Sequence, residues 1–537
     1  SYGTQVIGPQ AKPPPYLFKM PFLDKEHFTP HFFSKKRQGS VTGAVTTLLG
    51  TLLGGGVLSL PFALRRSGII IGALLLVLTA VATDFSVFTL VSCSRRSGAS
   101  TYETVAHTAF GRLGGLLTMG LVVCVTYLPL VGYTILLRDL LAPILEVILS
   151  RTLGISARNL MVAALVLVVS PACMLESLSA LRHLTLCSVI AVALLAAFIG
   201  IRTVDCVVSE GVPEGAVNLW PEDGWSGALQ AIPIYICAFA CHFNVLPVHG
   251  ELAKPTRERL HRMVHWTIGL VATFYGLVMT LGYTYGICEG TVSDNILNSF
   301  GVDDMLMNVG RVGLAVTLLV SFPLLVVPLN GTLVRAYREL TGVDGRSKGP
   351  LLDLDNAGGV WPPQYREEVG ASMELETPLL TPSAPPLDAA LELDDCCLDD
   401  TISAQGSLNG TNGNGGKGCK GESGQEEAGV DISFQTRAWL TCAILSSELL
   451  LAFNISMVTD VWGFLGSTAN VLVAFTLPCA AYLKIRLHLP RRRQKPGQPL
   501  FKKWVAGALV LISVVAAVVC TANSMYLVST RKKEDEA

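Results

Sequence analysis

Apolar residues come in long runs along this chain, with polar residues in blocks between them. A helix needs about 20 apolar residues to cross a bilayer. About eleven runs meet or approach that length, at 41–64, 68–92, 114–149, 158–176, 184–202, 226–250, 263–287, 308–335, 437–458, 461–484 and 503–529. The third is long and carries Pro129, Pro143 and the neighbours Arg138 and Asp139, so tilt or an interfacial last turn is expected there. The fourth is short. The pattern predicts an all-α polytopic membrane protein with about eleven transmembrane helices: a tail at 1–40, eight spans within 41–335, a polar loop at 341–434, three spans within 437–529, and a tail at 530–537.

Two runs contain residues that a membrane helix should avoid. The first holds Gly50-Thr51-Leu52-Leu53-Gly54-Gly55-Gly56-Val57-Leu58-Ser59-Leu60-Pro61. Each glycine weakens a helix by about 1 kcal/mol relative to alanine, and Pro61 removes a backbone hydrogen bond. Non-helical backbone at membrane depth survives only where protein or a wet cavity surrounds it. Five spans later, Ile232-Pro233 through Pro247-Val248-His249-Gly250-Glu251 has prolines near both ends and His242 and Asn244 near its middle. A single interrupted span is explained by tight packing or a kink. Two, at the first and sixth positions, fit a five-plus-five inverted repeat with one helix added, as in secondary transporters. Half-helix N-termini offer unpaired N–H groups and a positive dipole end. Gly54, Gly55 and Gly56 are therefore predicted to meet a substrate carboxylate, with carbonyls near Ala240, Cys241 and His242 meeting its ammonium group and Asn244 close by.

Composition and charge support this class. The chain has 537 residues, 50% hydrophobic and 15% charged, against about 25% charged in soluble domains. The net charge of -1 identifies no partner, and nucleic acid is not expected as one. The first forty residues are polar, end in Lys35, Lys36 and Arg37, and show no cleavable signal, so the first span is expected to act as its own insertion signal. Lysine and arginine placement predicts a cytosolic N-terminus and an extracellular or lumenal C-terminus. Arg65-Arg66, Arg151, Arg158 and Arg531-Lys532-Lys533 are exceptions. The 341–434 stretch, rich in Gly, Pro, Ser, Asp and Glu, is expected to be disordered, cytosolic and regulatory, with regulatory proteins as its partners.

Among the polar groups within spans, Asp84, Glu448 and His242 are functional candidates because such groups are costly in a membrane. For each, an interhelical hydrogen bond is the competing role. Asn454 and Asn470 are read as helix glue. Cys206 and Cys288 open the loops after the fifth and seventh spans. Both are expected on the oxidising side, where a disulfide persists; two separate interfacial thiols are the alternative. No HExxH motif, phosphate loop or nucleophile–base pair suggests an enzyme, and no filter motif suggests a channel.

The interrupted segments also resemble a known family. Gly54 through Ala63 followed by Gly68 is similar to the first-span glycine motif of the amino acid/auxin permease family, especially its sodium-coupled neutral amino acid transporter branch. Cys241-His242-Phe243-Asn244-Val245-Leu246-Pro247 through Glu251-Leu252 resembles the sixth-span signature CH..VLP...EL of that branch. Ser321-Phe322-Pro323 through Val327-Pro328-Leu329 resembles its eighth-span pattern TVP....P. The resemblance implies the sodium-coupled leucine transporter fold, a small-molecule substrate that is an amino acid with a neutral side chain, and residence in the plasma membrane or an acidic organelle such as a vacuole or lysosome. It covers neither the 341–434 loop nor the N-terminal tail. Where that branch has a first-span asparagine and an eighth-span threonine thought to hold sodium, this chain has Gly50 and Ser321. Ser321 with the carbonyls of Leu49, Gly50 and Leu53 is then the candidate sodium site, and proton coupling is the alternative. No other cofactor is expected. A sensor with a substrate pocket but little or no flux is the competing function.

Overall fold

The computed structural model describes residues 37–150, 152–174, 182–341, 433–487 and 500–536. Of the expected tail at 1–40 and loop at 341–434, residues 1–36 and 342–432 lie outside the described residues. Among those described, the chain is helical apart from turns and one isolated parallel bridge between Gly39 and Leu252. Among the described residues nine helices are long and apolar enough to cross a membrane, and the bent pair Val41–Leu52 and Gly55–Ser67, angled by 52°, brings the number to ten if it is one span. At the fourth position, expected at 158–176, the helix is Ile155–Val169, whose 15 residues give roughly 22 Å, less than a full crossing.

Most helices outrun the apolar windows that predict them. The fifth spans Arg182–Ser209 rather than 184–202, the seventh Arg257–Cys288 rather than 263–287, and the eighth Met305–Thr341 rather than 308–335. The added turns are polar and capped: Thr256 Oγ1 accepts from Arg259 N, and Ser433 Oγ accepts from Thr436 N at the start of the ninth span, Phe434–Phe453. The third helix, Tyr102–Leu149, begins 12 residues before the predicted start at 114. Its first turns carry Glu103 and His107 and are capped by Thr101, and Gly111, at φ 77°, turns the chain before the apolar part begins. A hydropathy pattern misses such a polar opening. The tenth span, Val458–Ile485, contains two π-helical turns, Gly466–Asn470 and Leu472–Thr476, a geometry often found at functional positions.

The breaks at the first and sixth positions are both present. The first span is helical over Val41–Leu52, opens at Leu53 and Gly54, and resumes as a 3-10 turn at Gly55–Ser59 that leads into Leu60–Ser67. Pro61 falls in the opening turn of that last helix, where its missing N–H is no loss. The sixth span is helical over Trp225–Ala238 and His242–Glu251. Its break, Phe239-Ala240-Cys241, lies midway between Pro233 and Pro247, each of which sits inside a half-helix. The first, second, sixth and seventh spans pack as one group, and the third packs on the eighth and ninth.

At one end of the bundle, Arg66 Nε donates to Gln230 Oε1 at 2.6 Å, Arg66 also pairs with Asp223, and Arg65 pairs with Glu222 at 3.7 Å. These two exceptions to the charge rule are thus held by acids of the loop before the sixth span. At the same end Cys206 and Cys288 form a disulfide with Cα atoms 6.4 Å apart. Both lie in the last turns of their helices, because the fifth span runs on to Ser209 and the seventh to Cys288. Peptides from protein never exposed to reductant should contain this cross-link, worth about 2–4 kcal/mol. Free, alkylatable Cys206 in such a digest would remove it.

Candidate substrate site

The two breaks face each other. Tyr275 of the seventh span is fully buried, and its hydroxyl lies 2.5 Å from the Leu52 carbonyl oxygen and 2.9 Å from that of Ala238. Those carbonyls end the first half-helix of the first span and of the sixth. One hydroxyl therefore serves both helix ends, each of which carries carbonyls with no partner in its own helix. Asn244 Nδ2 donates to Thr51 Oγ1 at 3.1 Å, joining the second half of the sixth span to the first half of the first. Gly56 also faces the sixth span, where a methyl group would make ordinary contact with Ala238 Cα at 3.7 Å.

The third span covers the glycine run. A methyl group on Gly54 would come within 2.9 Å of the Tyr133 hydroxyl, and one on Gly55 would collide with Leu136 Cδ1. As the first residues of a helical turn, Gly55 and Gly56 offer N–H groups that the turn cannot satisfy. Close approach by Tyr133 and Leu136 thus explains Gly54 and Gly55 in part through packing. The tenth span closes over this layer: Trp462 stands edge-on to Tyr133 with ring centroids 6.3 Å apart, and a methyl group on Gly132 would lie 2.5 Å from its indole.

The remaining sequence candidates sit as follows. Ala240 and Cys241 form the break of the sixth span, and Cys241 is buried. The His242 side chain, 1% exposed, turns away from the first span, with Nε2 2.8 Å from Ser86 Oγ of the second span and the ring edge-on to Phe475 of the tenth. Ser321 Oγ donates to the Thr317 carbonyl of its own helix at 2.8 Å, which leaves its lone pairs to accept or ligate. The Leu49 carbonyl accepts from Leu53 N at 2.8 Å, and Gly50 lies in the last turns of the helix. The Leu49 and Leu53 side chains line a lateral groove against the fifth and seventh spans. Among the described residues no hydrogen bond or ion pair joins Ser321 to the first span. Asp84 Oδ1 lies 2.6 Å from His265 Nδ1, tying the second span to the seventh.

Several groups escape a reading of motifs. Tyr133, Tyr275 and Trp462 are single aromatics within apolar runs. The signal they give is general: a buried Tyr or Trp carries a polar atom that needs a partner. Ser59 Oγ and Trp462 Nε1, both buried, lie on the elements around the breaks and have no hydrogen-bond partner among the described residues, while buried Asn470 lies beside the Cys237 thiol.

Residues 37–526 match the family described as "Transmembrane amino acid transporter protein". The chain belongs to this family. It is similar to the "Putative amino acid transporter AAT1" of Toxoplasma gondii, with 28% identity over 60% of this chain and 44% of that protein. It is also similar to the "Putative sodium-coupled neutral amino acid transporter 11" of Bos taurus, with 27% identity over 56% of this chain and 64% of the relative. The match therefore spans less than two thirds of either relative. The "Vacuolar amino acid transporter 7" of Saccharomyces cerevisiae aligns at 22% identity over 82% of this chain and 88% of its own. In fold, the chain is similar to Mhp1, a nucleobase-cation-symport-1 family transporter in a closed conformation, with TM-score 0.50, 11% identity, and 92% and 94% of the two chains covered. This family member is thus a multi-pass membrane protein with the leucine-transporter type of fold, and its relatives are transporters rather than enzymes.

Proposed function

We propose that this chain is a secondary active transporter that carries an amino acid with a neutral side chain by alternating access, coupled to a cation gradient. The observation that carries this reading is the Tyr275 hydroxyl set between the Leu52 and Ala238 carbonyls. It brings two broken helices together at membrane depth, where non-helical backbone is kept only around a site or cavity. The N–H groups of Gly55 and Gly56 receive the carboxylate. Carbonyls of the sixth-span break receive the ammonium group, with Ser59, Trp462 and Asn470 supplying further polar contacts. These groups recognise what all amino acids share; the apolar wall of Tyr133 and Leu136 disfavours a charged side chain.

Two sets of contacts serve as the alternating closures. At one end Arg65 and Arg66 hold the first span to the acids before the sixth. At the other, Gly39 bridges Leu252, buried Arg37 donates to the His249 carbonyl at 2.7 Å, and Arg95 donates to His249 Nε2 and to the Pro255 carbonyl. Burial and then the adjacent Arg95 guanidinium lower Arg37 to about 10, so it remains a cation at neutral pH. The second end is the cytosolic one in this reading. With Gly50 in place of a side-chain oxygen ligand, sodium dependence is expected to be weak and proton drive substantial. Uptake by reconstituted protein in sodium and in choline, each at two pH values, tests this. A steep sodium requirement that survives Ser321→Ala would refute the assignment of ligands, and binding without any uptake would refute transport.

A further inference from the structure

Glu448 is the most deeply buried carboxyl group among the described residues, with 0% exposure in the middle of the ninth span. Oε2 accepts a hydrogen bond from Thr134 Oγ1 at 2.8 Å, and Oε1 has no partner. No described cation balances it. The third span contributes Thr134, the Tyr127 hydroxyl, which donates to Ser447 Oγ, and Arg138, which is 3.7 Å from Asp139 and directed toward the Ile455 and Ser456 carbonyls. On the ninth span itself Arg437 reaches the Met174 carbonyl. The eighth presents neutral Asn330, bonded to Thr441, and Arg335, paired with Glu103; the fourth presents Arg158, paired with Glu146. The Cys173 thiol, on the turn after the fourth span, is the titratable neighbour within electrostatic reach. A bare carboxylate in this place is costly, so the site suits a group that binds a proton and gives it up when its surroundings open.

Its position links it to the substrate site. Thr134 lies on the third span between Tyr133 and Leu136, which cover Gly54 and Gly55. Movement of the third span against the broken first span therefore also moves the hydroxyl that Glu448 accepts from. We propose that Glu448 is a proton-binding site of this protein and carries the proton that accompanies the amino acid, an inference that rests on the transport function proposed above. One proton adds to the carboxylate from the side of higher proton activity and leaves to water on the other side, so the step needs no other reactant.

The test uses full-length protein in proteoliposomes with three readouts: accumulation of labelled amino acid under an imposed pH gradient, the accompanying change of lumenal pH, and counterflow exchange with no gradient. Glu448→Gln, which keeps shape and hydrogen bonding but cannot titrate, is expected to lose proton-driven accumulation and the pH signal by about tenfold or more. Counterflow should stay within about twofold of the parent. Glu448→Asp should restore proton drive with a shifted pH profile. Proton-driven accumulation that survives Glu448→Gln overturns the inference. So does a parent protein that exchanges amino acid but shows no proton drive, which leaves transport itself standing; absence of counterflow in the parent overturns transport as well. If Glu448→Gln fails to fold, an unchanged pH profile in Glu448→Asp overturns the proton site.

Discussion

Valine in place of Gly55 is expected to abolish amino acid uptake while the protein still reaches the membrane. A Cβ at this position runs into Leu136 Cδ1 and lies 3.4 Å from the Tyr133 ring. A branched side chain must therefore push the third span away or displace the N–H groups that open the second half of the first span. Overpacking of this kind costs about 1–3 kcal/mol, which a protein of this size tolerates more readily than its site does. The double variant Gly55→Val/Leu136→Ala separates the two roles. It supplies the missing space, so its thermal stability should return toward that of the parent. Uptake should stay below about one hundredth of the parent level, because the valine still covers the backbone donors. Recovery of uptake in the double variant would reduce Gly55 to a packing residue.

Removing the hydroxyl of Tyr275 is the second change with a large expected effect. Phenylalanine fits the same buried volume and keeps the edge-on contact with Phe239, whose ring centroid is 5.3 Å away. It leaves the Ala238 carbonyl without its donor, whereas the Leu52 carbonyl still accepts from Gly54 N at 2.9 Å. An orphaned buried polar group costs about 1–3 kcal/mol, or roughly 5- to 150-fold in the population of the paired arrangement. Tyr275→Phe should accordingly raise the KM for uptake by at least about fivefold. Unchanged KM together with unchanged thermal stability would show that the two breaks do not depend on this contact.

The membrane class, nine to ten of the eleven expected spans and both interrupted spans were legible from the chain because each leaves a local mark. Single glycines and prolines are common in membrane helices, but three consecutive glycines followed by Pro61, and prolines on both sides of His242 and Asn244, stand out. Helix ends were poorly legible. Polar capped turns such as Tyr102–Gly111 continue a helix without extending its apolar run. The partners of the site were less legible still. Tyr275, Tyr133 and Trp462 matter through residues 37 to 329 positions away in sequence, a relation that no spacing along one segment encodes. His242 illustrates the converse: its place in a motif says nothing of where its ring points, and it points to Ser86. Pairing of Arg65 and Arg66 with Glu222 and Asp223 likewise explains two charges that the orientation rule alone leaves as exceptions.

The most direct measurement is counterflow in proteoliposomes that hold only the purified protein, preloaded with an unlabelled neutral amino acid and diluted into a trace of labelled substrate with no ion gradient. Transport at the facing breaks predicts a transient accumulation of label that depends on the internal load and disappears with Gly55→Val. Saturable binding of the same amino acid with no counterflow would contradict it, and would make this protein a sensor built on a transporter's fold.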